Sequence, residues 1–435
     1  MKSEKTENKA LKESILFGIH ESGLRVYIIP KAGFCKYYAI YATEYGSIDD
    51  VLKVPKTGEE IKLPDGIAHF LEHKLFEEED GENAFDKFAL TGASSNAFTS
   101  FDMTAYLYSC TDKFYENLDI LLEFVNNPYF TDENVAKEQG IIGQEIKMYD
   151  DDPGWRLFFN MLQGMYHNNT VKTDIAGTVE SISHITPQLL YDCCKAYYNP
   201  SNMILVMVGD IDPDEAVKYI DKHVSPEKDM GKIERRLVQE PCEVVKKVVH
   251  QKLSVSKPLF LIGFKEKETG ICGAELVEKQ IKTDILLEVL FGKSSGFFME
   301  LYGEGLIDGS FSKDSELEKS YGFSSVSGES KDPDSVYRRV LEYLEKAKTE
   351  KLDEKVVAVA KRVLIGQNLR RFNSVENLGN DFIRSFMNGI DPLAYNDMVE
   401  KVTMEELEAR LREHFDEACC TMSVIDPLEE TENDK

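Results

Sequence analysis

Positive charge is scarce in this 435-residue chain, where 51 lysines and arginines stand against 78 aspartates and glutamates for a formal net charge of −27. A surface this acidic repels phosphate backbones and anionic headgroups, which excludes nucleic acid and membranes as expected partners and favours basic peptides. Long apolar runs are missing too. Stretches such as Met203–Val208 fall far short of a bilayer's width, and the opening MKSEKTENKALKES has no apolar core of the kind a secretory signal needs, so the expected compartment is the cytoplasm. The 8 cysteines, at Cys35, Cys110, Cys242, Cys272 and the adjacent pairs Cys193/Cys194 and Cys419/Cys420, never take C-x-x-C spacing. That removes the usual zinc-ribbon and redox signatures and leaves reduced, structural thiols as the expectation. No glycine loop followed by a basic residue offers a cradle for phosphate.

What the chain does have is the composition of a folded protein, with 42% hydrophobic and 30% charged residues. At roughly 150 residues per domain its length predicts two or three domains. Leu24–Pro30 and Tyr37–Thr43 read as strands, followed by helices over Gly66–Phe76 and Glu82–Leu90 and a hairpin of Ser95–Phe101 with Thr104–Ser109. Helices over Thr111–Asn126 and Thr131–Tyr149 follow, the first stopped by Pro128, and Asn202–Gly209 reads as a buried strand. The charged, aperiodic stretch 226–247 reads as a linker between residues 1–225 and 248–435. The second part replays the first: a strand at Pro258–Phe264, helices over Glu275–Phe291 and Phe297–Leu301, and a hairpin-like stretch from Gly309 to Ser327. This order predicts an α+β fold of two similar halves, each an antiparallel sheet packed with helices, and ends in an acidic tail, Glu429–Lys435, expected to be disordered.

The chemistry concentrates in His69-Phe70-Leu71-Glu72-His73. On a helix both imidazoles and the carboxylate project from one face, and this H-x-x-E-H spacing is a zinc pattern, the inverse of H-E-x-x-H. Zinc takes nitrogen and oxygen ligands while keeping a position open for water, and a neighbouring carboxylate can take that water's proton and pass it to a leaving amine. In the next long helix but one, Glu138 and Glu145 lie two turns apart on one face. One could complete a zinc site and the other orient a histidine; a solvated acidic face is the plainer alternative.

With these residues in view, the runs GIAHFLEHKLFE (66–77), GASSNAFTSFDMTAYLYS (92–109), EQGIIGQEIKMYDDDPGWR (138–156) and YYNPSNMILVMVGD (197–210) resemble the pitrilysin/insulinase family of zinc peptidases. The likeness is greatest to its small bacterial members, relatives of mitochondrial processing peptidase, and implies their metallohydrolase fold with one zinc ion per chain. It implies His69, His73 and Glu145 as metal ligands, Glu72 as general base, and Glu138 as the carboxylate behind a histidine. It also makes Ser95, Asn96, Ala97, Phe98 and Thr99 an edge strand that pairs with an extended peptide, Asn96 and Ala97 nearest the scissile bond. The implied activity is endopeptidase action on unfolded or leader peptides, the alternative being a non-catalytic peptide-binding or scaffolding subunit.

The second half departs from this pattern. Members that act alone carry an Arg/Tyr pair there to steady the substrate carbonyl, whereas Ser294–Ser312 (SSGFFMELYGEGLIDGSFS) has no arginine and only Tyr302, off the family position, with Ile307 and Asp308 where a tyrosine would fall. The expectation is therefore a homologous partner subunit in a heterodimer, or a homodimer. Trp155 is read as a packing anchor, Asp150–Asp152 as a solvated turn, and the six remaining histidines as surface or capped groups.

Overall fold

Runs of β-branched and aromatic residues with few polar interruptions belong in the middle of a sheet covered on both faces. Tyr37–Thr43 (YYAIYAT) and Met203–Gly209 (MILVMVG) are of this kind, and in the computed structural model both are buried almost throughout. The structure describes residues 1–53, 58, 60–79, 81–226 and 235–428. Two compact units emerge, the first formed by Met1–Ile146, Thr173–Arg236 and Leu369–Ala394, the second by Lys147–Lys172, Leu237–Asn368 and Tyr395–Lys435.

In the first unit the strands are β1 (Lys2–Asn8), β2 (Glu13–Ile19), β3 (Arg25–Pro30), β4 (Tyr37–Thr43), β5 (Val51–Lys53), β6 (Glu60–Lys62), β7 (Ser94–Thr99), β8 (Thr104–Cys110) and β9 (Met203–Gly209). Seven form one sheet in the order β1-β2-β3-β9-β4-β8-β7, while β5 and β6 pair separately. Side chains alternate across the sheet. From β8, Ala105 joins a core with Ile40, Val206 and Phe382, Ile383 and Phe386 of the helix Val375–Met387. Tyr106 and Tyr108 point the other way, toward Phe76, Phe88 and Phe124. Those rings belong to the layer of α1 (Ile67–Lys74), α2 (Ala84–Thr91) and α3 (Phe114–Asn126), or directly follow α1.

The second unit contains β10 (Val248–Leu253), β11 (Leu259–Lys265), β12 (Ser312–Leu317), β13 (Gly322–Glu329) and β14 (Cys420–Pro427), ordered β10-β14-β11-β13-β12. That order repeats β3-β9-β4-β8-β7 strand for strand. Helices Gly273–Phe291 and Gly296–Gly303 fall between β11 and β12 as α1 and α2 fall between β4 and β7. The α+β expectation of two similar halves is met, with one correction: each sheet is antiparallel except at one pair, β3 with β9 and β10 with β14. The last strand of each half returns after a long helical passage and inserts between two strands that run oppositely, so it must be parallel to one of them.

The units are not consecutive in sequence. After α4 (Asp132–Asp151), helix α5 (Pro153–Met165) belongs to the second unit, where Met161 and Met165 fill the space that a side chain at Gly263 of β11 would need. The helix Val375–Met387 goes to the first unit, Asn380 accepting a hydrogen bond from Tyr38 Oη at 2.6 Å. Within the expected linker, residues 227–234 lie outside the described residues, as does the acidic tail 429–435. Arg235, though, is fixed in the first unit by a bidentate pair with Asp49 at 2.7 Å and by the Asp102 carbonyl. Trp155 stacks on Tyr149; of the expected acidic turn, Asp150 and Asp151 instead end helix α4, and only Asp152 lies between helices, where it caps α5.

Not all the histidines are surface groups. His414 is buried in the second unit, its Nε2 at 2.7 Å from Ser324 Oγ and its Nδ1 at 3.2 Å from Arg410, whose guanidinium pairs with Glu266. Burial and the Arg410 charge push its pKa down to about 4. Between the ordinary histidine value and about 4, the unfolded chain therefore binds a proton that the folded chain refuses, and stability falls as pH falls. The expected loss from this group is about 3 kcal/mol by pH 4. Thermal melts at pH 7 and pH 4.5 should show a smaller acid loss in His414→Gln than in the native chain.

Candidate metal centre

Gly66, at φ 90°, opens α1 in the left-handed region, and a Cβ there would lie 2.4 Å from the Ala176 carbonyl oxygen. Such a start sets the helix close against its neighbours. One turn apart on α1, the rings of His69 and His73 meet edge to face with centroids 4.6 Å apart. α4 supplies Glu138 and Glu145 from two turns of one face.

His73 Nδ1 lies 3.1 Å from Glu138 Oε1, a bond in which the imidazole donates and which leaves the Nε2 lone pair free. That Nε2 is 3.4 Å from Glu145 Oε2, while His69 Nε2 is 3.8 Å from Glu145 Oε1. One ligand atom each from His69, His73 and Glu145 lies within 4.8 Å of the others. Ligand bonds of about 2.1 Å in a tetrahedron put donors about 3.4 Å apart, so this set fits zinc with little movement. Three ligands leave a position open, as catalytic sites do.

The electrostatics favour a cation here. Burial, with the neighbouring His73, pushes the His69 pKa down to about 4, so its imidazole is neutral and able to ligate near neutrality. Among the described residues its buried Nδ1 has no hydrogen-bond partner. For His73, burial opposes the charged form, but the bond to Glu138 and the Glu145 charge outweigh it and raise the pKa: the ring is held where positive charge is welcome. Glu72 lies beside the group, and burial raises its carboxyl pKa while the Thr99 hydroxyl, donating to Oε2 at 2.6 Å, works against the rise.

The structure thus brings together His69, Glu72, His73, Glu138, Glu145 and Thr99. β7 is the outermost strand of its sheet, and Ser95, Asn96, Ala97 and Phe98 run along that edge away from Thr99. Sequence reasoning missed Lys74. Fully buried, its ammonium pairs with Glu77 and lies 3.9 Å from Glu138 Oε2, so it braces the carboxylate that holds His73. A lysine directly after the motif, with Glu77 three residues on, was the available signal. Glu138→Gln is expected to weaken zinc binding about 10- to 100-fold without removing a ligand, measurable by competition with a chromogenic chelator.

In the second unit, Ile307 is buried and Tyr302 half exposed. Arg339 is paired with Glu300 and Glu304, and Arg338 with Ser335.

Fold and site together define a two-sheet α+β chain carrying an inverted zinc motif. Residues 58–179 match the family profile described as Insulinase (Peptidase family M16), and 184–364 the profile described as Peptidase M16 inactive domain. The Bacillus subtilis protein described as uncharacterized zinc protease YmfH is 41% identical over 94% of this chain and 96% of its own length. A crystal structure from Alicyclobacillus acidocaldarius, described as an M16-like peptidase, is 34% identical with TM-score 0.92, covering 97% of this chain and 100% of that one. Pitrilysin shares the fold at TM-score 0.75 and 16% identity, with 98% of this chain matching 46% of that longer chain. The chain belongs to the M16 insulinase family, and its likeness is to the YmfH type.

Proposed function

We propose that the chain is a zinc-dependent endopeptidase acting on unfolded or leader peptides. The observation that carries this reading is the convergence of His69 Nε2, His73 Nε2 and a Glu145 carboxylate oxygen beside the Glu72 carboxylate. His69, His73 and Glu145 would hold the metal, which when bound polarises a carbonyl and makes a nearby water more acidic. Glu72 takes the proton of the attacking water and returns it to the departing amine. Thr99, at 2.6 Å, holds that carboxylate in place. Glu138 fixes the tautomer of His73. Among the described residues no strand pairs with the outer edge of β7, which supports binding of an extended peptide by strand addition along Ser95–Thr99.

The acidic chain supports a preference for basic peptides. A basic and a neutral peptide of equal length should be cleaved at different rates in low salt, converging in high salt. Equal rates in both would remove the charge argument. Eight free thiols support a reducing compartment, the cytoplasm, and no described helix is long and apolar enough to cross a membrane.

The absence of arginine from 294–312 favours a second reading, in which a homologous partner supplies the missing carbonyl contact. Such a contact is worth about 10² to 10³ in rate. A zinc-loaded chain that is silent alone and active with a homologous chain would establish the partner; full activity of a self-associated chain would dispose of it.

A further inference from the structure

Away from the metal centre, the second unit brings together two cysteines that lie 177 positions apart in sequence. Cys242 is exposed, in the segment leading to β10, and Cys419 is buried in the short turn before β14. Their Sγ atoms are 2.8 Å apart. The backbone holds them there, since Val244 N–H donates to the Ala418 carbonyl at 3.2 Å and Cys419 N–H to Asp416 at 2.9 Å.

Asp416 also lies within reach, so a soft metal on Cys242, Cys419 and Asp416 is the competing use of this cluster. Three observations weigh against it. Two thiolates on one zinc stand about 3.8 Å apart, wider than the contact seen. Both Asp416 oxygens are engaged, Oδ1 by Ala418 N–H at 2.9 Å and Oδ2 by Lys267 Nζ at 2.7 Å. Lys265 and Lys267 place positive charge near both sulfurs, which repels a cation.

We propose that Cys242 and Cys419 form a reversible dithiol–disulfide pair that exchanges with small-molecule disulfides. The Cys242 thiolate attacks one sulfur of the small disulfide, forming a mixed disulfide and releasing one small thiol. Cys419 then attacks the Cys242 sulfur, closing the protein disulfide and releasing the second. Two protein thiols are oxidised, one small disulfide is reduced, and both protons leave on the released thiols. Burial pushes the Cys419 thiol up to about 12, which slows the second step; the 2.8 Å contact with Cys242 is what favours it, its proton passing to the departing sulfur. The cross-link would tie the segment entering β10 to the turn entering β14, neighbouring parallel strands of one sheet.

The test uses the full chain, glutathione disulfide as oxidant, and alkylation followed by peptide mass mapping. The expected result is a Cys242–Cys419 cross-linked peptide, reversed by dithiothreitol, with Cys35 and Cys272 carrying glutathione only. The oxidised chain should melt about 5 °C higher. Cys419→Ala should trap glutathione on Cys242. Because that buried position affects folding, Cys242→Ser at the exposed position is the second variant and must abolish both cross-link and melting shift. Glutathione accumulating on native Cys242 without a cross-link would overturn the proposal. So would an additional zinc, bound under reducing conditions and lost in Cys242→Ser, which would assign the cluster to a metal.

Discussion

Glu72→Gln lowers peptide cleavage about 10³-fold or more and leaves the zinc content of the protein unchanged: this is the largest effect expected of any single substitution. Glutamine keeps the length and shape of the side chain and still accepts the Thr99 hydroxyl bond seen at 2.6 Å. What it cannot do is take a proton. None of the three proposed ligand atoms, on His69, His73 and Glu145, is touched by the change. The loss should therefore fall on kcat, with KM little altered, in steady-state assays paired with metal analysis of the same samples. A variant that retained half its activity would remove Glu72 from the chemistry.

The second large effect is on stability. If the first unit binds zinc as proposed, removing it with a chelator is expected to lower that unit's melting temperature by about 10 °C. A ligand that binds only the folded state, at a free concentration a thousand times its Kd, adds about 4 kcal/mol. For a unit of this size each kcal/mol moves the melting point by about 2–4 °C. The site has its own reason to need the cation, since Glu72, Glu138 and Glu145 converge there with Lys74 as the buried counter-charge. His73→Ala should melt at one temperature with or without zinc, so calorimetry on both proteins separates this site from any other effect of the chelator.

Much of this site is legible in the sequence because it depends on helical spacing. His69, Glu72 and His73 lie within a turn and a half, and Glu138 and Glu145 two turns apart, so each group shares a face wherever its helix packs. The strands Tyr37–Thr43 and Met203–Gly209 are equally legible, their apolar runs being what a doubly covered strand requires. β1 is not. Six of its seven residues are exposed, and it is held by backbone pairing to β2, which leaves no alternation to read.

Spacing also says nothing about which side chains meet across long separations. The Thr99 bond to Glu72, the Arg235 pair with Asp49, the buried Glu266–Arg410–His414 group and the contact of Cys242 with Cys419 are all of that kind. The exchange of helices between units is hidden for a related reason. α5 and the helix Val375–Met387 are amphipathic, and amphipathicity shows that a helix has a partner without naming which sheet it is.

The account turns on His69, His73 and Glu145 being a zinc site. Its most direct test is a count of zinc per chain by plasma mass spectrometry on the native protein, Glu72→Gln and His69→Ala, purified identically and checked for folding by circular dichroism. The account predicts about one zinc in the first two and close to none in the third. Stoichiometric zinc retained by folded His69→Ala, or none taken up by the native chain from zinc-buffered solution, would contradict it.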